Sequence, residues 1–331
     1  MQPFRLAIVG SGNIANTYVQ AVKNLNDVEL IAVVSRSGRR PADLSDEIPL
    51  VASISDLDVA CDAVILATPN GVHHQGAMEA AELGKHVLTE KVLDISIEAM
   101  DQMSNACRAA GVTLAVAFQR RMSPDNQAVK KVLEAGVLGQ ILAADMSVKF
   151  YRDQGYYDSG AYRGNYEIDG GGAFMQQAAH NADLLCWFFG MPDSVVSMLG
   201  TLCHDIEVED HGVALLHYSN GMIGTFCAST VCKPGFPTRL EVHAQAGSFV
   251  MENDQIRAWQ IEGIENPSTQ AFEVHDGAAS MAVSDTAGHE AIIRDFVDAI
   301  QGGRPPLIPA ESGRLATELV LRIYEGNLLK S

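Results

Sequence analysis

The run FRLAIVGSGNIANTYVQAVKNL, Phe4 to Leu25, constrains the fold more than any other stretch. An apolar run of strand length stops at a glycine, and a helix-period pattern begins three residues later. Gly10, Gly12 and Ala15 fit a G-x-G-x-x-G/A spacing. In such a turn the first glycine permits a tight bend. The second lets backbone approach a pyrophosphate, and a small third residue keeps helix and strand close. The helix N-terminus then presents unpaired N–H groups to an anion, here including those of Asn13 and Ile14.

The following sequence continues the same rhythm. VELIAVVSR, CDAVILATP, KHVLTEK and VTLAVAFQR read as strands, and HHQGAMEAAELG and SIEAMDQMSNACRAAG as the helices between them. Ser96 is placed to cap the second of these and Gly111 to stop it. Alternation of this kind predicts a doubly wound parallel sheet of Rossmann type, an α/β fold. After SPDNQAVKKVLEAGVLG, a helix with a proline start and a glycine end, the pattern changes. QILAADMSVKFY, VVSMLGTLCH, HGVALLHYS, MIGTFCAST, TRLEVHAQAGSFVME and QIRAWQIEG read as successive strands with hairpin signals such as Asn220-Gly221. They predict an α+β second domain with a large, open, mostly antiparallel sheet. The expected division is residues 1–122 for dinucleotide binding and 123–331 for substrate binding and oligomerisation. HEAIIRDFVDAIQGG and SGRLATELVLRIYEGNLLK are amphipathic helices that close the chain.

Composition narrows the partners. A net charge of −18 disfavours a nucleic-acid backbone as ligand. No segment reaches the apolar length of a membrane span, and the N-terminus lacks a signal-peptide pattern. Six scattered cysteines without a CxxC pair suit reduced thiols, so a cytoplasmic protein is expected. Cys203, His204, His211, His217, Cys227 and Cys232 match no compact metal spacing, and no metal is expected.

The end of the second strand bears on the nucleotide. A carboxylate there would bind the adenosine ribose, but the sequence has Ser35, Arg36, Ser37, Gly38, Arg39 and Arg40. The cations favour the 2′-phosphate of NADP over NAD.

The motifs GSGNIA, ATPNGVHH, TEKVLD, AFQRRMSP, YRGNYEIDGGGAFMQQAAHNADLLCWFFG and HEAIIRDFVDAIQGGRPP together resemble the Gfo/Idh/MocA oxidoreductases, those like glucose-fructose oxidoreductase and inositol dehydrogenase. The resemblance implies NAD(P)-dependent oxidation or reduction of a sugar, cyclitol or sugar nucleotide. Lys91 of TEKV falls on the family's catalytic lysine, Glu90 precedes it as usual, and Val92 replaces the usual proline. His180 falls on the catalytic histidine. Gln176 stands where inositol dehydrogenase-like members have Asp and another subgroup has Asn. Tyr162-Arg163-Gly164 stands where that subgroup has Trp-Arg-Gly.

If Ala173 to Phe189 is one helix, Gln176, His180, Asp183 and Trp187 share a stripe. Polar groups on an otherwise apolar helix then have a reason. A hydride moves to or from a carbon only as a proton moves at its oxygen, and an imidazole with an ordinary pKa near about 6.5 exchanges that proton. Lys91 is expected to stabilise developing charge on the same oxygen, and Gln176 to position a hydroxyl. Asp183 is expected to hold the fold or orient His180, and Trp187 to lie in the core.

The cofactor candidates are Gly10, Gly12, Asn13, Ile14, Ser35, Arg36, Thr68, Pro69, Asn70, His73, Glu90, Lys91, Gln119 and Arg163. The substrate candidates are Lys91, Arg121, Tyr156, Gln176 and His180. For Arg121 the alternatives are an anionic substrate group or an internal salt bridge. A glycoside hydrolase that oxidises transiently and a non-enzymatic dinucleotide sensor are the rival readings. An open sheet must cover its outer face, so a homodimer or homotetramer is expected.

Overall fold

A computed structural model of the chain describes residues 2–57, 60–269 and 286–329. The chain forms two compact units, Met1–Gln119 with Met281–Arg314, and Arg120–Ser280 with Leu315–Ser331.

The first unit is built on six parallel strands: β1 Phe4–Val9, β2 Val28–Val34, β3 Leu50–Val51, β4 Ala63–Leu66, β5 His86–Thr89 and β6 Leu114–Val116. Their order in the sheet is β3-β2-β1-β4-β5-β6, so the topology reverses direction at β1. Strands buried on both faces must be continuously apolar; AVIL of β4 is wholly buried. The crossover helices are α1 Asn13–Lys23, α2 His73–Glu82 and α3 Ile97–Ala110. Ser96 accepts from Ala99 N at the start of α3, and Gly111 ends it with φ 69°.

The second unit contains α4 Pro124–Glu134, β7 Ile141–Lys149, α5 Gln154–Asp158, α6 Ala179–Phe189, β8 Ser194–Gly200, β9 His211–His217, β10 Ile223–Ser229, β11 Arg239–Ala244, β12 Gly247–Glu252 and β13 Gln255–Ile261. Its seven strands run β13-β12-β11-β7-β10-β9-β8. Among the described residues of this unit's sheet, only β7 and β10 pair in parallel. One expected run, TRLEVHAQAGSFVME, is the hairpin β11–β12 turning at Ala244–Gly247. On the inner face of β9 and β10, Ala214, Leu216, Phe226 and Ala228 are buried. On the outer face, Val196, Met198, Val213, Leu215 and Ile223 are exposed.

The two last helices are α7 Ala287–Gly302 and α8 Ala310–Glu325. The sequence reading assigned both to the second domain. Instead α7 packs on α1, where Asn24 donates to Glu290 at 2.6 Å, and Val116 N donates to Ile308 O at 3.1 Å. The amphipathic pattern correctly marked an apolar face, with His289, Ile292, Ile293, Phe296 and Val297 buried. It carried no information on which sheet that face would cover. Among the described residues no helix is long and apolar enough to cross a membrane.

Candidate active site

In the first unit the glycine turn sits at the carboxyl edge of β1. Gly10 has φ 121°, and a Cβ there would overlap the carbonyl oxygen of Ala67, so only glycine fits between β1 and β4. Gly12 caps α1 without any side-chain hydrogen bond, and the first turn carries no acidic residue. The N–H groups and dipole of α1 are thus left for an anion. Ala15 is fully buried, as close helix–strand packing requires.

Neighbouring polar atoms are consistent with a bound nucleotide. The Oγ1 of Thr68 and the Oε1 of Gln119 are buried without a hydrogen-bond partner, a costly arrangement for a chain with nothing to place there. Pro69 and Asn70 begin the short 3₁₀ turn after β4, and Asn70 is buried. Ser35 is buried at the end of β2 and bonds Ser11 of the glycine turn at 3.1 Å. Of the three arginines that follow, Arg40 is committed to the carbonyls of Ser45 and Ile48. Arg36 and Arg39 are exposed. This part of the chain therefore fits the dinucleotide the motif implies.

Two strands along the same edge, β5 delivers Glu90 and Lys91. Glu90 was expected at the cofactor, yet its buried carboxylate is used internally. Tyr18 OH donates to Oε1 at 2.7 Å and Lys91 N donates to Oε2 at 3.0 Å. His289 of α7 lies 3.7 Å from Oε1. Burial by itself pushes this carboxyl up. His289, the Tyr18 hydroxyl and Lys91 outweigh it and hold the group below the usual carboxylate range. Glu90 thus anchors the backbone of Lys91. The Lys91–Val92 peptide is cis. His73, also expected at the cofactor, is fully buried, with Nδ1 2.8 Å from Val92 O and Nε2 2.9 Å from Thr68 O. It ties the 68–70 turn to the segment carrying Lys91. His74 and its own backbone N–H both meet Asp94.

In the second unit the expected single helix from Ala173 to Phe189 is two pieces. A π-turn spans Ala173–Gln177, Ala178 breaks the helix, and α6 follows. Glu209 fixes the entrance to this segment. Its side chain accepts from Gly172 N at 3.1 Å, Phe174 N at 2.9 Å and Tyr324 OH at 3.1 Å, and its carbonyl accepts from Ala173 N. The N–H groups of the first turn, which every helix leaves without an internal partner, are thus satisfied from outside. Such π-turns often mark functional positions. The glycines have a steric reason: a Cβ on Gly171 would strike Tyr324 OH, and one on Gly172 would strike Glu209 O. Burial pushes Glu209 up to about 7 against the pull of these donors.

Gln176, in the π-turn, donates to Asp169 Oδ1 at 2.8 Å, and Asp169 Oδ2 accepts from Gly164 N. Gln177, which the sequence reading passed over, accepts from Arg152 at 2.9 Å and donates to Tyr156 OH at 2.9 Å. His180 opens the first turn of α6 and is half-buried. Farther along α6, Asp183 does not share a ligand-facing stripe. Its carboxylate meets Arg121, and both side chains are buried. Arg121 is thereby removed from the substrate candidates, because its fork is already filled inside the protein. Trp187 is half-buried beneath the Arg121 and Lys130 cations rather than in the core. Tyr156 and Arg163 lie together, with the Arg163 guanidinium 4.4 Å from the ring centroid.

His204, from the Cys/His cluster noted in the sequence, binds Asp210 and the Arg152 carbonyl. Among the described residues no group of three or more His, Cys, Asp or Glu is arranged to hold a metal ion.

Comparison with known proteins agrees with this architecture. The model of an oxidoreductase family with an NAD-binding Rossmann fold matches residues 4–118, and that of the GFO/IDH/MocA C-terminal domain matches residues 126–250. The crystal structure of the WlbA dehydrogenase from Bordetella pertussis, in complex with NADH and UDP-GlcNAcA, is 30% identical with a TM-score of 0.83. The match covers 98% of this chain and 96% of that one. The 1,5-anhydro-D-fructose reductase of Ensifer adhaerens is 26% identical, the match covering 96% of this chain and 95% of the relative. The myo-inositol 2-dehydrogenase of Thermotoga maritima is 21% identical, over 94% and 92% respectively.

Proposed function

The chain belongs to the GFO/IDH/MocA oxidoreductase family, and on that premise we propose that it oxidises or reduces a secondary alcohol or ketone carbon of a sugar, cyclitol or sugar nucleotide. A nicotinamide dinucleotide, when bound, supplies or accepts the hydride. The observation that carries the reading is within the first unit. An uncapped helix N-terminus after Gly10-x-Gly12 and a lysine held by Glu90 occupy the same carboxyl edge of one parallel sheet.

In this reading Gly10, Gly12, Asn13 and Ile14 receive the pyrophosphate, and Thr68, Asn70 and Gln119 supply polar contacts to the rest of the nucleotide. Arg36 meets a 2′-phosphate, which favours NADP over NAD. Lys91 hydrogen-bonds the reacting oxygen of the substrate and stabilises negative charge there. His180 takes or returns the proton of that oxygen. Gln176, whose amide is oriented by Asp169, positions a neighbouring hydroxyl. The relatives named above, which include a sugar reductase, an inositol dehydrogenase and an enzyme crystallised with a sugar nucleotide, support the substrate class.

The apolar outer face of β8, β9 and β10 suits burial against a second copy, giving a homodimer or homotetramer. All six cysteines are unbridged, which suits a cytoplasmic setting.

The test is direct. Denaturing the purified protein and identifying any released nucleotide by mass establishes the cofactor. Polyols, aldoses and nucleotide sugars are then screened for a change in reduced-nicotinamide absorbance. A protein that binds NADH and NADPH but turns over none of these substrates refutes the enzymatic reading.

A further inference from the structure

We propose that Arg152 and Arg163, gathered around Tyr156 beside Gln177, form a recognition site for a carboxylate, so that the preferred substrates are acidic sugars. The inference rests on the sugar-oxidoreductase reading above and adds the charge of the substrate.

The argument begins with how this chain treats its other arginines. It has 41 acidic and 23 basic side chains, so carboxylate partners are abundant. Arg120 pairs with Asp254, Arg121 with Asp183, Arg239 with Glu241 and Glu252, and Arg257 with Glu252. Among the described residues that lack such a partner, Arg36 and Arg39 are exposed to solvent and Arg40 and Arg322 donate to backbone carbonyls, whereas Arg152 and Arg163 each keep a buried Nε without an acceptor. The Arg163 guanidinium is held only by ring faces, 4.4 Å from the Tyr156 centroid and 5.2 Å from that of Tyr162. The Nε of Arg152 is likewise buried and unpartnered, while its terminal nitrogens donate to Tyr151 O and Gln177 Oε1.

Both guanidiniums are held against one ring, since Arg152 Cζ is 5.3 Å from the same Tyr156 centroid. Two like charges brought together in a half-buried place repel, and an anion between their forks relieves that cost. Two acids close in sequence are engaged elsewhere: Asp153 accepts from Tyr156 N, and Asp169 from Gly164 N and Gln176. The planar guanidinium fork matches a carboxylate bidentately, and the tyrosine rings offer faces on which a pyranose can stack.

The location within the second unit fits a substrate site. Gln177 bridges Arg152 to Tyr156 and lies three residues before His180, and Gln176 is joined through Asp169 to Gly164, next to Arg163. The acid group would thus be held within the same network that orients the residues around the proposed proton-transfer histidine. Arg163, a cofactor candidate by sequence, is reassigned to the substrate.

The experiment measures binding of four probes, glucose, glucuronate, UDP-glucose and UDP-glucuronate, to the full-length protein saturated with oxidised nucleotide. Each acidic probe is expected to bind at least tenfold tighter than its neutral counterpart. Arg163→Met should collapse that ratio toward one, and Arg152→Gln should reduce it. Arg163→Lys, which keeps the charge but loses the fork, should restore it only in part. Equal binding of acidic and neutral probes by the unmodified protein overturns the proposal without needing any variant. If both UDP sugars bind alike and far more tightly than glucose and glucuronate, the recognised anion is the diphosphate, and the carboxylate assignment fails. Tight, arginine-dependent binding of glucuronate without turnover of any sugar leaves this site standing and refutes the oxidoreductase reading instead.

Discussion

Arg121 grips the carboxylate of Asp183 through Nε at 2.8 Å and Nη2 at 2.5 Å, with both side chains buried. The pair joins the end of the 119–122 turn to the middle of α6, and Trp187 lies against the Arg121 cation at 5.5 Å. Removing one partner strands a buried charge. Arg121→Met or Asp183→Leu alone should therefore cost about 3–5 kcal/mol. The double variant Arg121→Met, Asp183→Leu should recover most of that loss. Chemical denaturation of all three, analysed as a double-mutant cycle, checks the coupling.

His180→Ala should lower kcat by about a hundredfold or more, because proton exchange with the substrate oxygen is lost. The nucleotide should remain bound, since this residue is not among the cofactor candidates. Lys91→Met should lower kcat by a similar factor through lost charge stabilisation. Steady-state kinetics on any substrate found in the screen, with nucleotide content measured in parallel, decides both. Full activity in the histidine variant would remove it from the mechanism.

Arg36→Ala should weaken NADPH binding by roughly tenfold while changing NADH binding little, because only the former carries a 2′-phosphate. Fluorescence titration with each reduced nucleotide measures this. An unmodified protein that prefers NADH ends the NADP assignment.

Glu209 gives the stability of the second unit a pH dependence of predictable sign. Its folded pKa, about 7, stands above the ordinary carboxyl value because of burial. The folded state therefore holds more protons than the unfolded chain across the interval between the two values. Stability from this group is fully present below the unfolded pKa and declines as pH rises toward about 7. The upper limit is about 3 kcal/mol over the interval. Melting curves from pH 5 to pH 8 should show a decline in the native protein that Glu209→Gln lacks. Parallel curves for the two proteins would refute the assignment.

Leu215→Glu places a charge in the middle of the exposed apolar face, with Val196 as its cross-strand neighbour. If that face joins copies of the chain, the variant should sediment as a smaller species at micromolar concentration. Unchanged sedimentation would move the interface elsewhere.

How much of this was written locally in the chain depends on which partner decides each feature. The parallel sheet was legible because its strands are buried on both faces. AVIL is therefore apolar throughout, FRLAIV is apolar but for the half-buried Arg5, and both are followed by glycine or proline turns. β3, with only Leu50 and Val51, was too short to give a period. The break at Ala178 was not legible, and neither was the anchoring of the segment's entrance by a glutamate 35 residues beyond Phe174. Arg121 looked ready for a ligand next to Gln119 and Arg120, and only the fold shows that Asp183 claims it. Glu90 and His73 read as cofactor candidates, but their side-chain atoms are bonded to Tyr18, Lys91 N, Val92 O and Thr68 O inside the first unit. Gln177 was hidden by its similarity to Gln176, and the aromatic run around Arg163 gave no sign that two guanidiniums share one ring.

The return of α7 to the first unit has a consequence for biosynthesis. When the ribosome has completed β6, the nascent sheet still lacks the helix that shelters Tyr18 and Glu90, and that helix emerges only after the intervening second unit. The amino-terminal lobe is therefore completed only after residues 120–280 have been made, although its sheet is translated first. A fragment truncated near residue 120 would expose the flank of α1 that α7 normally covers, including the Tyr18 ring that meets His289, making it a natural client for chaperones.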